Sequence, residues 1–216
     1  MFVFIPVLLL WDHPIKFSLL YRSNNQLSGT VMIRDFVGIS PTIGESSYID
    51  DSAVVIGDVV IGNNCSVWPL TAIRGDVNII RIGNNTNIQD GSVLHVSTVN
   101  PPITEGAELH VGDEVTVGHK VLLHGCRVGN QCLIGMGSIV MDDAVIEDQV
   151  MLGAGSLVPP RKRLESGFLY LGNPAKKIRP LTDSEKTDLV TAAAHYVLLK
   201  QRYWIEASYA AVHCLC

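Results

Sequence analysis

The sequence predicts an all-β protein, a single chain wound into a parallel β-helix of about six triangular coils and followed by a C-terminal α-helix. Three observations predict it. Isoleucine, valine or leucine falls at 43, 49, 55, 61, 67 and 73, at 82, 88 and 94, at 111, 117 and 123, and at 128, 134, 140, 146, 152 and 158. Glycine often follows these rungs directly (Gly44, Gly62, Gly83, Gly112), and a small or β-branched residue stands four places after them (Ala53, Cys65, Thr71, Ser92, Ser138). Nineteen glycines set against 6% aromatic residues describe a turn-rich chain. A period of six matches neither a 3.6-residue helix nor a simple alternating strand. It fits a short strand and a turn, repeated, with the rung inward and the small residue beneath it. Three such segments close a triangle, and eighteen rungs make six coils.

The chain ahead of the repeat reads differently. Met1 to Trp11 is apolar but holds Pro6, and it is shorter than the roughly 20 residues that span a bilayer. It lacks the positive start and small-residue cleavage site of a secretory signal. Residues 12–31 carry no periodicity, so 1–31 are expected to be a start-site extension outside the fold. Residues 32–160 are expected to form the β-helix, and 161–216 a turn segment and helix packed on it. Pro159-Pro160 is expected to end the repeat, with Arg161-Lys162-Arg163 a solvated turn. Thr182 and Glu185 form a capping box. Leu189, Ala193, Tyr196 and Val197, extended by Trp204, supply the helix's apolar stripe, and the chain is expected to fray after about 206.

Charge and cysteine content narrow the class. The net charge is −5, while residues 1–31 carry Lys16 and Arg22 against Asp12, so the body is acidic and lacks the footprint of a nucleic-acid binder. The five cysteines are odd in number and contain no C-x-x-C; Cys65 and Cys132 occupy small repeat positions. They read as buried thiols in a reducing, cytoplasmic compartment. No membrane partner is expected.

The register then places the histidines. Rung spacing is six except at three points: three extra residues between 73 and 82, eleven extra between 94 and 111, and one fewer between 123 and 128. With rung 73 on face A, rungs 94 and 123 are also on A, and rungs 88 and 117 are on C. Arg74, His95 and His124 therefore share one line on face A, a coil apart. His119 stands two places after rung 117 on face C, and Asp90, beside Gln89, holds the equivalent place one coil earlier. His95 and His124 can grip one ion from one chain. His119 is expected to reach the site only from a second copy, with face A of one subunit against face C of another; a ring closes such a contact, and three faces suggest a trimer with three sites. Three neutral imidazoles suit zinc with a fourth position for water, and iron(II) or cobalt would accept them too. Arg74, Asp76, Gln89 and Asp90 are the polar residues expected around the ion, although Arg74 and Asp76 suit an interface ion pair equally well. His13, His110, His195 and His213 do not share the register.

The motifs Ile-Arg-Gly-Asp (73–76), Asn-Ile-Gln-Asp-Gly-Ser-Val-Leu-His (87–95), Val-Gly-His-Lys-Val-Leu-Leu-His-Gly-Cys (117–126), Gly-Met-Gly-Ser (135–138) and Leu-Gly-Ala-Gly-Ser (152–156) resemble the gamma-class carbonic anhydrase family. The resemblance implies a left-handed coil and a homotrimer. It implies zinc held by His95 and His124 of one subunit and His119 of its neighbour, with Arg74, Asp76, Gln89 and Asp90 as interface and active-site residues. The implied reaction hydrates carbon dioxide to bicarbonate through zinc-bound hydroxide. Two departures stand out. Val77 replaces a glutamate of the archetypal archaeal enzyme, and the loop after His95 lacks the early acidic shuttle residue, with Glu105 and Glu108 coming late. The competing expectations are a non-catalytic trimeric metal-binding scaffold and a hexapeptide acyltransferase acting on acyl-CoA or an acyl carrier protein.

Overall fold

The structure, a computed structural model, describes residues 32–100 and 105–213, with side chains as far as Trp204. The expected extension 1–31 lies outside the described residues. The rest is a parallel β-solenoid with one C-terminal helix, Asp183–His213. Each face stacks strands of successive coils in register. On face A the ladder runs Ile33, Val55, Ile73, Leu94, Leu123, Val140 and Val158. On face C, Val117 pairs with both Ile88 and Ile134, the register the six-residue period requires.

Every rung from Ile49 to Val158 is buried, and Ile43 is partly so. Burying each such side chain is worth about 1.5–3 kcal/mol relative to exposure. The small residues four places on fill the coil corners, where Ala53, Thr71, Ser92 and Ser138 are fully buried. One corner is tied by a side-chain ladder. Asn84 Oδ1 accepts from the Asn63 amide at 2.9 Å, Asn130 Oδ1 from Asp113 at 2.9 Å, and Asp148 Oδ1 from Asn130 at 2.7 Å. The second residue of each Asn-Asn pair takes the left-handed turn, with φ of 57° at Asn64 and 54° at Asn85.

The solenoid runs longer than the repeat suggested. Arg163–Leu164 pairs with Val145–Ile146, and Phe168–Leu171 continues the stack on Met151–Leu152. Pro159-Pro160 is a corner and not an end; the Lys162 amide donates to the Pro159 carbonyl at 3.2 Å. Leu164 and Tyr170 are two further buried rungs. Tyr170 fits because its hydroxyl accepts from the Glu165 amide at 2.8 Å. Each face thus carries seven stacked parallel strands among the described residues, and Lys176–Pro180 closes face C as an antiparallel eighth.

The helix begins as its capping box requires: the Thr182 amide donates to Glu185 at 2.9 Å and the Glu185 amide to Thr182 Oγ1 at 3.2 Å. It remains helical to His213, past the expected fraying point. It lies on the Ser66–Val67, Asn87–Ile88 and Thr116–Val117 strands of face C. Leu189 and Ala193 are buried beneath it. Trp68 meets Tyr48, Tyr196 and Tyr203 at ring-centroid distances of 5.5, 5.7 and 5.0 Å. Lys200, 1% exposed, donates from Nζ to the Ser46 carbonyl at 2.6 Å.

Candidate metal centre

His95 ends the strand Val93–His95, and His124 ends Leu122–His124; the two are direct parallel partners. Their shared place after an inward rung turns both side chains outward on the same face. His95 Nδ1 and His124 Nε2 face each other at 3.1 Å. Each ring's other nitrogen meets a carboxylate. Asp76 Oδ1 lies 3.1 Å from His95 Nε2, and Asp142 Oδ1 contacts His124 Nδ1. Arg74 pairs with the second oxygen of Asp76, and Ser97 Oγ donates to the second oxygen of Asp142 at 2.6 Å. The result is one line of polar contacts along face A from Arg74 to Ser97.

The electrostatics favour a neutral imidazole at His95 and charged carboxylates at Asp76 and Asp142. Burial pushes His95 below the ordinary histidine value against the pull of Asp76. Burial would raise Asp76, but hydrogen bonds from Arg74 and His95 bring it below the usual carboxylate range. Asp142 behaves likewise, with Ser97 and His124 overcoming burial. An ionised carboxylate only accepts, so each must draw the ring proton to the nitrogen it faces. His95 Nδ1 and His124 Nε2 are then left with lone pairs aimed at each other. Lone pairs 3.1 Å apart need a cation between them, a shared proton or a metal ion. Two nitrogens each about 2.0–2.1 Å from a tetrahedral ion would lie roughly 3.3 Å apart, so the pair fits a metal with little movement.

His119 is placed elsewhere. It sits on the turn between Thr116–Val117 and Leu122–His124, at the corner of faces C and A rather than on face C proper. Its Nδ1 lies 3.0 Å from Asp90 Oδ2, which leaves Nε2 as the accepting nitrogen. Among the described residues no three His, Cys, Asp or Glu side chains of the single chain converge as a metal site. Gln89, 5% exposed, is held by its donation to Asn87 Oδ1 at 3.1 Å, while Asn87 donates to Thr116 Oγ1 at 3.0 Å. The helix brings the Tyr196 hydroxyl to Gln89 near Asp90. Burial and the Asp90 charge raise that hydroxyl, and Gln89 opposes them. Val77 packs against the core.

Beside the histidine line, the outer row of face A is aliphatic. Ala72, Val93, Leu122, Ile139 and Leu157 stack in register, and Val93, Leu122 and Ile139 are exposed.

Sequence reasoning missed Ser97, Asp142 and Lys200. Asp142 was findable: it stands two places after rung 140, in the coil directly below His124. Cys65, Cys126 and Cys132 are buried free thiols, as expected of the two at repeat positions.

Comparison with known proteins agrees with this architecture. Residues 40–75 and 125–160 match the family model described as bacterial transferase hexapeptide (six repeats). The chain is 55% identical over 172 residues to protein YrdA of Escherichia coli, covering 80% of this chain and 94% of the relative. It is 40% identical over 190 residues to gamma carbonic anhydrase 2, mitochondrial, of Arabidopsis thaliana, covering 87% and 67%. Among solved structures, a hexapeptide transferase family protein from Anaplasma phagocytophilum superposes with a TM-score of 0.74 at 42% identity, covering 80% of this chain and 98% of that one. With the six-residue ladder and the paired histidines already in place, these likenesses settle the family: the chain belongs to the gamma-class carbonic anhydrases among the hexapeptide-repeat proteins.

Proposed function

We propose that the protein is a metal-dependent carbonic anhydrase that hydrates carbon dioxide to bicarbonate at sites shared between the subunits of a homotrimer. The observation that carries this reading is the pair of facing lone pairs on His95 and His124, each fixed by a carboxylate behind it. One chain supplies two ligands of a site that needs three protein donors and an open position. His119 of the partner subunit is the natural third, since Asp90 fixes its outer nitrogen in the same way. The exposed aliphatic row of face A gives the second copy an apolar surface to cover.

Zinc is the metal these imidazoles suit best, with iron(II) or cobalt as alternatives, and when bound it lowers the pKa of water to about 7 and so supplies hydroxide at neutral pH. The residues of the chain do the rest. Asp76 and Asp142 hold protons at His95 Nε2 and His124 Nδ1 and so keep the ligand nitrogens unprotonated. Arg74 fixes Asp76, and Gln89, steadied by Asn87, offers a polar group near the third histidine. A hexapeptide acyltransferase works through one histidine base, and a carboxylate-locked pair is a poor match to that.

Val77 favours a second reading, since it packs on the core where the archetypal enzyme has a glutamate and carries no proton. In that reading the trimer binds metal without turnover. Anaerobic purification with elemental analysis, followed by a carbon dioxide hydration assay, separates the two. The primary reading expects about one metal per chain and hydration that is lost in His95→Ala, His119→Ala and His124→Ala. Metal without hydration establishes the scaffold, and metal retained in all three variants sinks both.

A further inference from the structure

We propose that Asp142 and Ser97 are a positioning pair that locks His124 as a ligand; the proposal rests on the metal-site reading above. His95 and His124 are oriented from opposite sides. Asp76, in the coil above, holds His95, while Asp142, in the coil below and 18 residues on, holds His124. Asp142 uses both oxygens, one on His124 Nδ1 and one on Ser97 Oγ at 2.6 Å. A carboxylate pinned at both oxygens cannot swing away from the ring.

Two further observations show that the surroundings are shaped around this carboxylate. Gly125 follows His124 directly, and a Cβ there would lie 2.8 Å from Asp142 Oδ1 and 2.6 Å from the Ala107 Cβ. Any side chain at 125 would crowd the carboxylate's seat. Ser97 is itself fixed at the mouth of the loop after His95: its amide donates to the Ala107 carbonyl at 3.1 Å, and its carbonyl accepts from Asn78 Nδ2 at 3.3 Å. The loop closure thus delivers the Ser97 hydroxyl to a set point, and that hydroxyl delivers Asp142 to His124.

The chemical consequence is tautomer selection. A neutral imidazole distributes its proton between two nitrogens. A carboxylate at Nδ1 holds the proton there, keeps Nε2 as the lone pair and raises its basicity; losing such a partner typically costs 10–100-fold in metal affinity. The pair acts through His124 and touches no substrate.

The test measures zinc and cobalt affinity of the full chain by chelator competition, with the visible spectrum of the cobalt form as a second readout. Asp142→Ala is expected to weaken binding by about 10–100-fold and to change the cobalt spectrum. Asp142→Asn is expected to restore much of the loss, because its carbonyl can accept from Nδ1–H while its amide donates to Ser97 Oγ. Ser97→Ala removes one oxygen and is expected to weaken binding severalfold without lowering the melting temperature of the metal-free protein, so it decides the matter even if Asp142→Ala folds poorly. Wild-type affinity and spectrum in Ser97→Ala, or in a folded Asp142→Ala, with metal lost in His124→Ala, overturn the positioning pair while leaving the metal site standing. Metal retained in His124→Ala overturns the underlying reading and this inference with it.

Discussion

Leu123 and Leu122 are neighbours on one strand and should respond differently to truncation. Leu123 is fully buried between Leu94 and Val140 in the face A ladder, directly before the ligand His124. Leu123→Ala removes its transfer free energy and leaves a cavity. The strands above and below are tied by continuous parallel ladders, so the walls have little freedom to close. A loss of about 3–4 kcal/mol is expected, in the upper part of the leucine-to-alanine range. Leu122, 37% exposed on the outer side, should contribute below about 1 kcal/mol to the stability of a single chain. In the proposed trimer its contribution belongs to the contact between copies. Urea titrations of metal-free protein at several chain concentrations separate the two. Leu123→Ala should lower the midpoint at every concentration; Leu122→Ala should lower it only at concentrations where the copies associate and leave it unchanged where they do not. A Leu123→Ala loss under about 1 kcal/mol, or equal losses in both variants independent of concentration, would refute the packing argument.

Two other outcomes follow from the ionisable groups. Hydrogen bonds from Arg179 and from the Thr182 amide hold the exposed Glu185 carboxyl down to about 2 from its ordinary 4.5. A depressed carboxyl stabilises the fold above its unfolded value, so the capping contribution should be intact above pH 4.5 and fade as the pH falls toward 2. Amide protection over residues 183–189, taken relative to the unstructured rate at the same pH, should fall across that window, and Glu185→Gln should abolish that change; protection that does not vary with pH in the wild type contradicts the assignment. Burial pushes the Cys65 thiol up to about 11 and Cys132 up to about 12, and raises Cys126 as well. Iodoacetamide at pH 8 should leave all three unmodified until urea unfolds the chain, and labelling in the native state would contradict their burial.

Much of this was legible in the sequence because the solenoid repeats one simple requirement. An inward aliphatic residue at each rung and a small residue at each corner leave a mark every six positions, and that register alone put His95 and His124 side by side. The mark fails where chemistry replaces aliphatic packing. Tyr170 is a rung whose hydroxyl finds the Glu165 amide, and Pro159-Pro160 turns a corner while looking like a terminator. Ser97 escaped because the eleven-residue insertion after Leu94 hides which loop residues return to the coil, and Asp142, though in register below His124, gains its meaning only once Ser97 and the histidine ring are placed. Lys200 escaped because a lysine is seldom buried; here the Ser46 carbonyl satisfies its ammonium and the Trp204 ring lies 4.5 Å from it. His119 was assigned to face C, whereas it sits on the turn at 119–120, at the corner between faces C and A.

Whether the metal is held between subunits is decided by a mixing experiment. His119→Ala keeps His95 and His124; His124→Ala keeps His119. Alone, neither should bind metal tightly. Unfolded together in equal amounts and refolded, they should form mixed rings in which one interface of three receives a complete ligand set. Random assembly makes about three quarters of the trimers mixed, so bound zinc should recover to about one quarter of the wild-type level. Recovery near that fraction, with neither variant binding by itself, is expected of a site shared between subunits. No recovery in rings shown to be mixed, or tight metal binding by either variant alone, would contradict it.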